Sequence, residues 1–249
     1  MEKNGQPAVN VKNLHKAFGP QTVLNGVDLT LESEETVVVL GRSGTGKSVL
    51  LKLIVGLQKP DEGSIEIHGQ DITGVPRDQL NDIRAKIGFL FQDAALYDSL
   101  SIEDNVAFPM RHHDHMEESA IRDRVRELLG WVGMEDSAHK RPAEVSGGMK
   151  KRVGLARALA LEPDVLLFDE PTAGLDPITS REIAELILKL QKEQHVASIV
   201  VTHDVHGARA VADRVVLLHE GSIVAQGTFD ELQRSRHPIV AQFLNEGGS

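Results

Sequence analysis

The octapeptide GRSGTGKS, residues 41–48, lies between an apolar run, TVVVL at 36–40, and a helix-prone run, SVLLKLIVGL at 48–57. A short continuous apolar run is expected of a strand covered on both faces of a parallel sheet, so the chain must turn from sheet to helix through glycines. That is the setting required by G-x-x-x-x-G-K-[ST], a phosphate-holding loop. Backbone N–H groups of Gly41, Arg42, Ser43, Gly44, Thr45 and Gly46 can turn inward around an anion. The helix N-terminus adds its positive dipole end, Lys47 supplies a point charge, and Ser48 is placed to hold magnesium. A glycine-rich turn with a chance lysine would not need this placement between strand and helix.

The remaining pattern supports one α/β domain. VLLFDE at 165–170, ASIVVTHD at 197–204 and RVVLLHEG at 214–221 alternate with helical stretches at 179–194 and 204–212, the order of a parallel sheet with crossover helices. Upstream, VNV, VLNGVDLTLE and SIEIHG alternate in polarity and predict antiparallel strands. IGFLFQ at 87–92 predicts a further strand, and a helix is expected from Pro76 to about Lys86. Ser101 with Asp104 forms a capping-box pattern, and Ile121, Val125, Leu128, Leu129 and Val132 make one apolar stripe, so 100–162 reads as mostly helical.

The whole length of 249 residues, 41% hydrophobic, is enough for a real core, and no Pro/Gly-rich linker divides it. A formal net charge of -10 argues against general nucleic-acid affinity. The absence of cysteine excludes disulfide and thiolate chemistry and suits a reducing cytoplasm. No run approaches the roughly 18 apolar residues of a membrane span, so any work at a membrane is expected through a partner.

VLLFDE ends in two carboxylates. Strand alternation puts Asp169 and Glu170 on opposite faces, which predicts separate tasks: Asp169 toward magnesium beside Ser48, Glu170 toward a water in line with a terminal phosphate. His203, just beyond ASIVVT, is placed for a neutral imidazole to contact that phosphate and water.

VSGGMKKRVGLARALALEPDVLLFDEPTAGLDP, residues 145–177, resembles the signature region of the ATP-binding cassette (ABC) ATPases. Six motifs stand in family order: the phosphate loop, Gln92, Ser146-Gly147-Gly148, Asp169-Glu170, Gly174-Leu175-Asp176 and His203. The resemblance implies a P-loop NTPase with a RecA-like parallel core, an N-terminal antiparallel β subdomain and a helical signature subdomain. It divides a single domain, 8–246, into a core at about 8–92 and 163–230, a helical part at about 93–162, and a short tail at 231–249. It also implies a head-to-tail homodimer in which ATP and Mg2+ lie between one phosphate loop and the partner copy's Ser146, Gly147 and Gly148. Glu170, His203 and Gln92 would then be catalytic; Ser48, Gln92 and Asp169 would face the metal; Phe18 would stack on adenine, and Asp176 would border the nucleotide. An ordinary capped helix would explain Ser146 but not two glycines in its first turn, at roughly 1 kcal/mol each. Val49 departs from the family in lacking a second hydroxyl after GKS, though its backbone N–H remains, and Met149 stands where glutamine is usual.

In the family, the stretch after Gln92 receives a helix of the membrane subunit, which would make Leu96, Tyr97, Leu100, Phe108 and Met110 an apolar lining, with about half of them expected instead to pack the helical subdomain. FQDAALYDSLSIEDNVAFPMR, SGGMKKRV and DEPTAGLDPIT together resemble the ATPases of MCE-associated, Mla-type lipid transporters. That implies a permease, a lipid-binding MCE-domain protein, sometimes a STAS-domain regulator, and a place on the cytoplasmic face of the inner membrane. The alternatives are a transporter of another solute, a soluble cassette acting on nucleic acid, or a nucleotide-binding scaffold. The run HHDH at 112–115 offers zinc-type ligands, yet adjacent residues rarely converge on one ion, and it reads as a solvated turn.

Overall fold

The computed structural model describes residues 6–113 and 116–246. Two sheets organise it. The smaller is antiparallel, in the order β2-β1-β4-β5, from β1 (Val9–Phe18), β2 (Gln21–Leu31), β4 (Glu62–Ile67) and β5 (Gln70–Asp71). The larger runs β10-β9-β3-β8-β7-β6, from β3 (Thr36–Leu40), β6 (Ile87–Leu90), β7 (Val165–Asp169), β8 (Ala197–Thr202), β9 (Arg214–His219) and β10 (Ser222–Gly227). Its pairings are parallel except β9–β10.

Strands β3, β7 and β8 are buried at every position, because both faces of the sheet are covered. Period-two alternation then sends neighbouring residues into different cores. Val37, Val39, Leu167 and Ile199 pack with Leu50, Ile54 and the apolar face of the antiparallel sheet. Val38, Leu40, Phe168 and Val200 pack with Leu155, Leu128 and Ile183 on the helical side.

The helices are α1 (Lys47–Ile54), α2 (Asn81–Ala85), α3 (Ile102–His113), α4 (Glu118–Trp131), α5 (Gly147–Ala158), α6 (Pro177–Gln194), α7 (Val205–Val211), α8 (Phe229–Gln233) and α9 (Pro238–Glu246). The expected stripe on α4 is buried, with Val132 just beyond its end, and the Asp104 N–H donates to Ser101 Oγ at 3.1 Å to open α3. The helix expected from Pro76 is divided: a 3-10 turn over Arg77–Leu80 precedes α2. β10 was not foreseen, since SIVAQG shows weak alternation. Beyond it, α8 and α9 occupy the expected tail, and Val240 of α9 is fully buried, so an apolar anchor holds this end down. Apart from His112, the HHDH run and the terminal GGS lie outside the residues whose side chains are described. The His112 ring stacks on Phe108 at 4.0 Å, and its Nδ1 lies 2.9 Å from the Phe108 carbonyl oxygen.

Register brings the carboxyl ends of the central strands to one edge. Leu40 is level with Thr202, and Asp169 with Val201. The segments that follow β3, β6, β7 and β8 therefore converge there, at the edge where parallel sheets hold ligands.

Candidate functional site

A cleft of about 370 Å³ opens at this edge. Phe18, Ser43, Gly44, Gly46, Lys47, Ser48, Val49, Gln92, Glu170 and His203 line it, so most of the expected site residues meet in one place. Glycine is required at Gly46, whose φ of 101° is left-handed and whose added Cβ would lie 2.8 Å from the Val23 carbonyl oxygen. The loop around it is closed internally. The Thr45 hydroxyl donates to the Arg42 carbonyl at 2.9 Å, and the Lys47 ammonium donates to the carbonyls of Gly41 at 2.7 Å and Arg42 at 3.1 Å.

The two carboxylates are placed by a departure from strand geometry. Asp169 ends β7, whereas Glu170 has a left-handed φ of 47°. Alternation therefore does not extend to Glu170, and the backbone turn aims both acids toward the loop edge. Asp169 accepts from the Ser48 hydroxyl at 2.7 Å. Glu170 Oε1 lies 3.4 Å from Lys47 Nζ, and its Oε2 accepts from the backbone N–H of His203 at 3.3 Å and lies 2.9 Å from His203 Nδ1. Lys47 and Glu170 are buried, so each compensates a charge that would be costly alone. Burial raises the pKa of Asp169, while the Ser48 hydrogen bond and the charge of Lys52 pull it down.

Ser48 and Asp169 present two hard oxygens beside a phosphate loop, and among the described residues no cluster of three or more acids, imidazoles or thiols can hold a metal. This donor set fits Mg2+, which takes one or two protein oxygens and completes its shell with phosphates and water. Gln92 borders the cleft through an exposed side chain.

Phe18 is 46% exposed at the end of β1, so it is not a core residue; Lys16 Nζ lies 5.4 Å from its ring centre. Val23 and Ala173 complete the lining and were missed, because small or apolar residues carry no chemical signature.

Ser146, Gly147, Gly148 and Asp176 do not line this cleft. Ser146 caps α5, accepting from the Met149 N–H at 3.3 Å, and is exposed with Gly147. Asp176 caps α6 and accepts from the Thr179 hydroxyl at 2.6 Å, which with the neighbouring amides holds its carboxyl below the ordinary range. Gly148 is small for a local reason: an added Cβ would meet Thr179 Cγ2 at 2.5 Å. These four residues thus form a second patch, built where α5 meets the start of α6.

The expected apolar lining is also divided. Tyr97 and Phe108, with ring centres 4.5 Å apart, line a separate groove of about 410 Å³ beside β6, together with Phe89 and Phe91. Met110 is fully buried because α3 turns it inward, and Leu96, in the loop before α3, packs on the same helical core; neither they nor Leu100 line the groove.

A parallel sheet carrying a phosphate loop at its carboxyl edge, with Ser48 joined to Asp169 behind it, defines a P-loop NTPase. A family model described as ABC transporter matches residues 24–173. The chain belongs to that family. It is 44% identical over 238 residues to the probable ribonucleotide transport ATP-binding protein mkl of Mycobacterium leprae, spanning 96% of this chain and 69% of that relative. It is 40% identical over 239 residues to the intermembrane phospholipid transport system ATP-binding protein MlaF of Haemophilus influenzae, spanning 96% and 90%. The dimeric post-hydrolysis structure of the ATP-binding cassette MJ0796 bound to ADP and Pi matches with a TM-score of 0.82 at 35% identity, over 88% of this chain and 98% of that one. The resemblance to Mla-type lipid-transporter ATPases is therefore carried along nearly the full chain.

Proposed function

We propose that the chain hydrolyses ATP to ADP and phosphate as the engine of a transporter for phospholipid or another lipid. The observation that carries the chemistry is the convergence of Lys47, Ser48, Asp169, Glu170 and His203 on one cleft with Phe18 at its rim. Glu170 accepts the proton of the attacking water, and His203 holds the carboxylate that does so. Lys47 and the loop amides stabilise charge on the phosphates, and Phe18 offers its face to the base. Magnesium, held by Ser48 and Asp169 with Gln92 at its edge, would neutralise phosphate charge.

The second patch, exposed at Ser146, Gly147 and Asp176, supports the head-to-tail dimer: with Gly148 they would complete the cleft of another copy. The groove lined by Tyr97 and Phe108 would receive the permease, with an MCE-domain protein and a STAS-domain regulator further along the same assembly. The chain would then act at the cytoplasmic face of the inner membrane; among the described residues no helix is long and apolar enough to cross it. The lipid reading rests on likeness to MlaF over 90% of that protein's length. The name of the mycobacterial relative favours the second reading, a transporter of another solute.

A tagged purification from native membranes in mild detergent, with mass spectrometry of proteins and lipids, tests the cargo. A permease with an MCE-domain protein and enriched phospholipid is expected. A permease with a solute-binding protein overturns the lipid reading and leaves the ATPase chemistry standing.

A further inference from the structure

The helix headed by Ser146 carries two buried or half-buried cations that the proposed chemistry leaves unused. Lys151 is 5% exposed, yet its ammonium reaches two backbone carbonyls, those of Gln92 and, at 3.2 Å, Glu170. Two turns further along α5, the guanidinium of Arg157 donates to the carbonyls of Ala95 at 2.8 Å and Ala94 at 2.6 Å. One helix therefore holds three backbone oxygens of the segment after β6, those of Gln92, Ala94 and Ala95.

The gripped segment is not relaxed. Ala94 and Ala95 both lie in the left-handed region, with φ of 59° and 48°, a conformation that a residue with a Cβ seldom takes even once. Such backbone persists only where its surroundings hold it. Ala94 is fully buried, and its Cβ lies beside Gly154 of the same helix: a Cβ added at Gly154 would come within 3.1 Å of it. Close packing and two cations thus define the fit between loop and helix.

Energetics make the attachment stiff. A buried ammonium is tolerated only while hydrogen-bonded, so sliding the loop away from α5 would leave Lys151 with the Glu170 carbonyl alone and free three loop carbonyls at once. Lys151 also joins the loop to the carbonyl of the very residue whose carboxylate meets Lys47 and His203.

We propose that Lys151 and Arg157 are positioning residues that fasten the backbone of 92–95 to α5, so that this loop and the helix headed by Ser146 move as one piece. A partner copy engaging the Ser146 end would then displace Gln92 and the neighbouring Tyr97 groove together. The inference rests on the proposed ATP cycle for its consequence, and on the hydrogen bonds alone for the attachment.

The test compares Lys151→Met and Arg157→Met, which keep the stems, with Lys151→Arg and Arg157→Lys, which keep the charges. In the purified chain both methionine variants are expected to lower kcat about tenfold or more, with KM for ATP within about threefold. Amide exchange at residues 92–97 is expected to accelerate about tenfold in the same variants, while β3 and α1 stay as in the parent chain. Lys151→Arg is expected to restore most of both properties.

Unchanged exchange at 92–97 in both methionine variants would overturn the attachment. Faster exchange with unchanged kcat would overturn the positioning role. A parent chain that releases no phosphate would sink the ATPase reading, and the exchange result would still decide the attachment. Should either methionine variant fail to fold, exchange in Arg157→Gln decides: loosening at 94–95 supports the clamp, and parent-like protection contradicts it.

Discussion

The phosphate-loop cleft and the patch at the start of α5 use the same chemistry, glycines and a helix N-terminus, to different ends. In the cleft, polar groups find partners within the chain: Lys47 meets two carbonyls and Glu170, Ser48 meets Asp169, and Glu170 meets His203. At the patch, Ser146 and Gly147 are exposed, and the capping bonds of Ser146 and Asp176 shape a surface without closing it. One region is a site with an opening; the other would, on the proposed dimer, be the complement of such a site. On the proposed dimer, a chain built this way would bind nucleotide alone and turn it over as a pair.

The sharpest way to break this contrast is Glu170→Gln. It keeps the shape of the side chain and removes its basicity, so turnover should fall at least about 100-fold while ATP binding persists and an ATP-held dimer accumulates. Unchanged phosphate release would remove Glu170 from the role of base. Ser146→Arg attacks the other region. Hydrolysis should drop about 30-fold or more, while titration with a fluorescent nucleotide shows affinity within about threefold of the parent; lost affinity would mean that the patch belongs to the same copy's site.

Lys47→Ala should weaken ATP binding about tenfold or more, because a buried point charge on the phosphates is lost. The effect should appear equally in monomer and dimer. Phe18→Ala should cost about three- to tenfold in affinity and Phe18→Tyr almost nothing, as expected for stacking of roughly 1 kcal/mol. Smallest of all, Gly148→Ala places a Cβ against Thr179 and should cost about 1–3 kcal/mol of stability, seen as a melting temperature lower by a few degrees. A fully parent-like melt would show that the glycine is there for the partner rather than for packing.

Much of the first region could be read before the fold was known, and the reasons are local. A strand, a glycine loop and a helix dictate one another, so TVVVL-GRSGTGKS placed Lys47 and Ser48 with little room for error. Asp169 followed from the apolar strand that it ends. Glu170 was expected near the cleft, but its route there, through a left-handed residue, was not, because periodicity describes strands only up to their ends. The second region was readable as a cap and opaque as a surface. Nothing in SGGMKK says that Gly148 yields space to Thr179 or that Lys151 turns inward to two carbonyls. That Met110 is one of the candidate lining residues that pack inward was unreadable for the same reason: which face of α3 is covered depends on helices distant in sequence. Weak alternation hid β10, and a buried Val240 gave the tail a structure that its short helices would not hold alone.

The central claim, that each cleft is completed by the patch of another copy, is tested most directly by mixing two impaired chains at an ATP concentration near the parent's KM, where Lys47→Ala is poorly occupied. Lys47→Ala spoils the cleft and Ser146→Arg spoils the patch. In a mixed pair one composite site carries both defects and the other carries none. Phosphate release by the mixture should rise well above either variant alone, at parent affinity for ATP. A mixture no more active than its components, with mixed dimers shown to form, would contradict a site shared between copies.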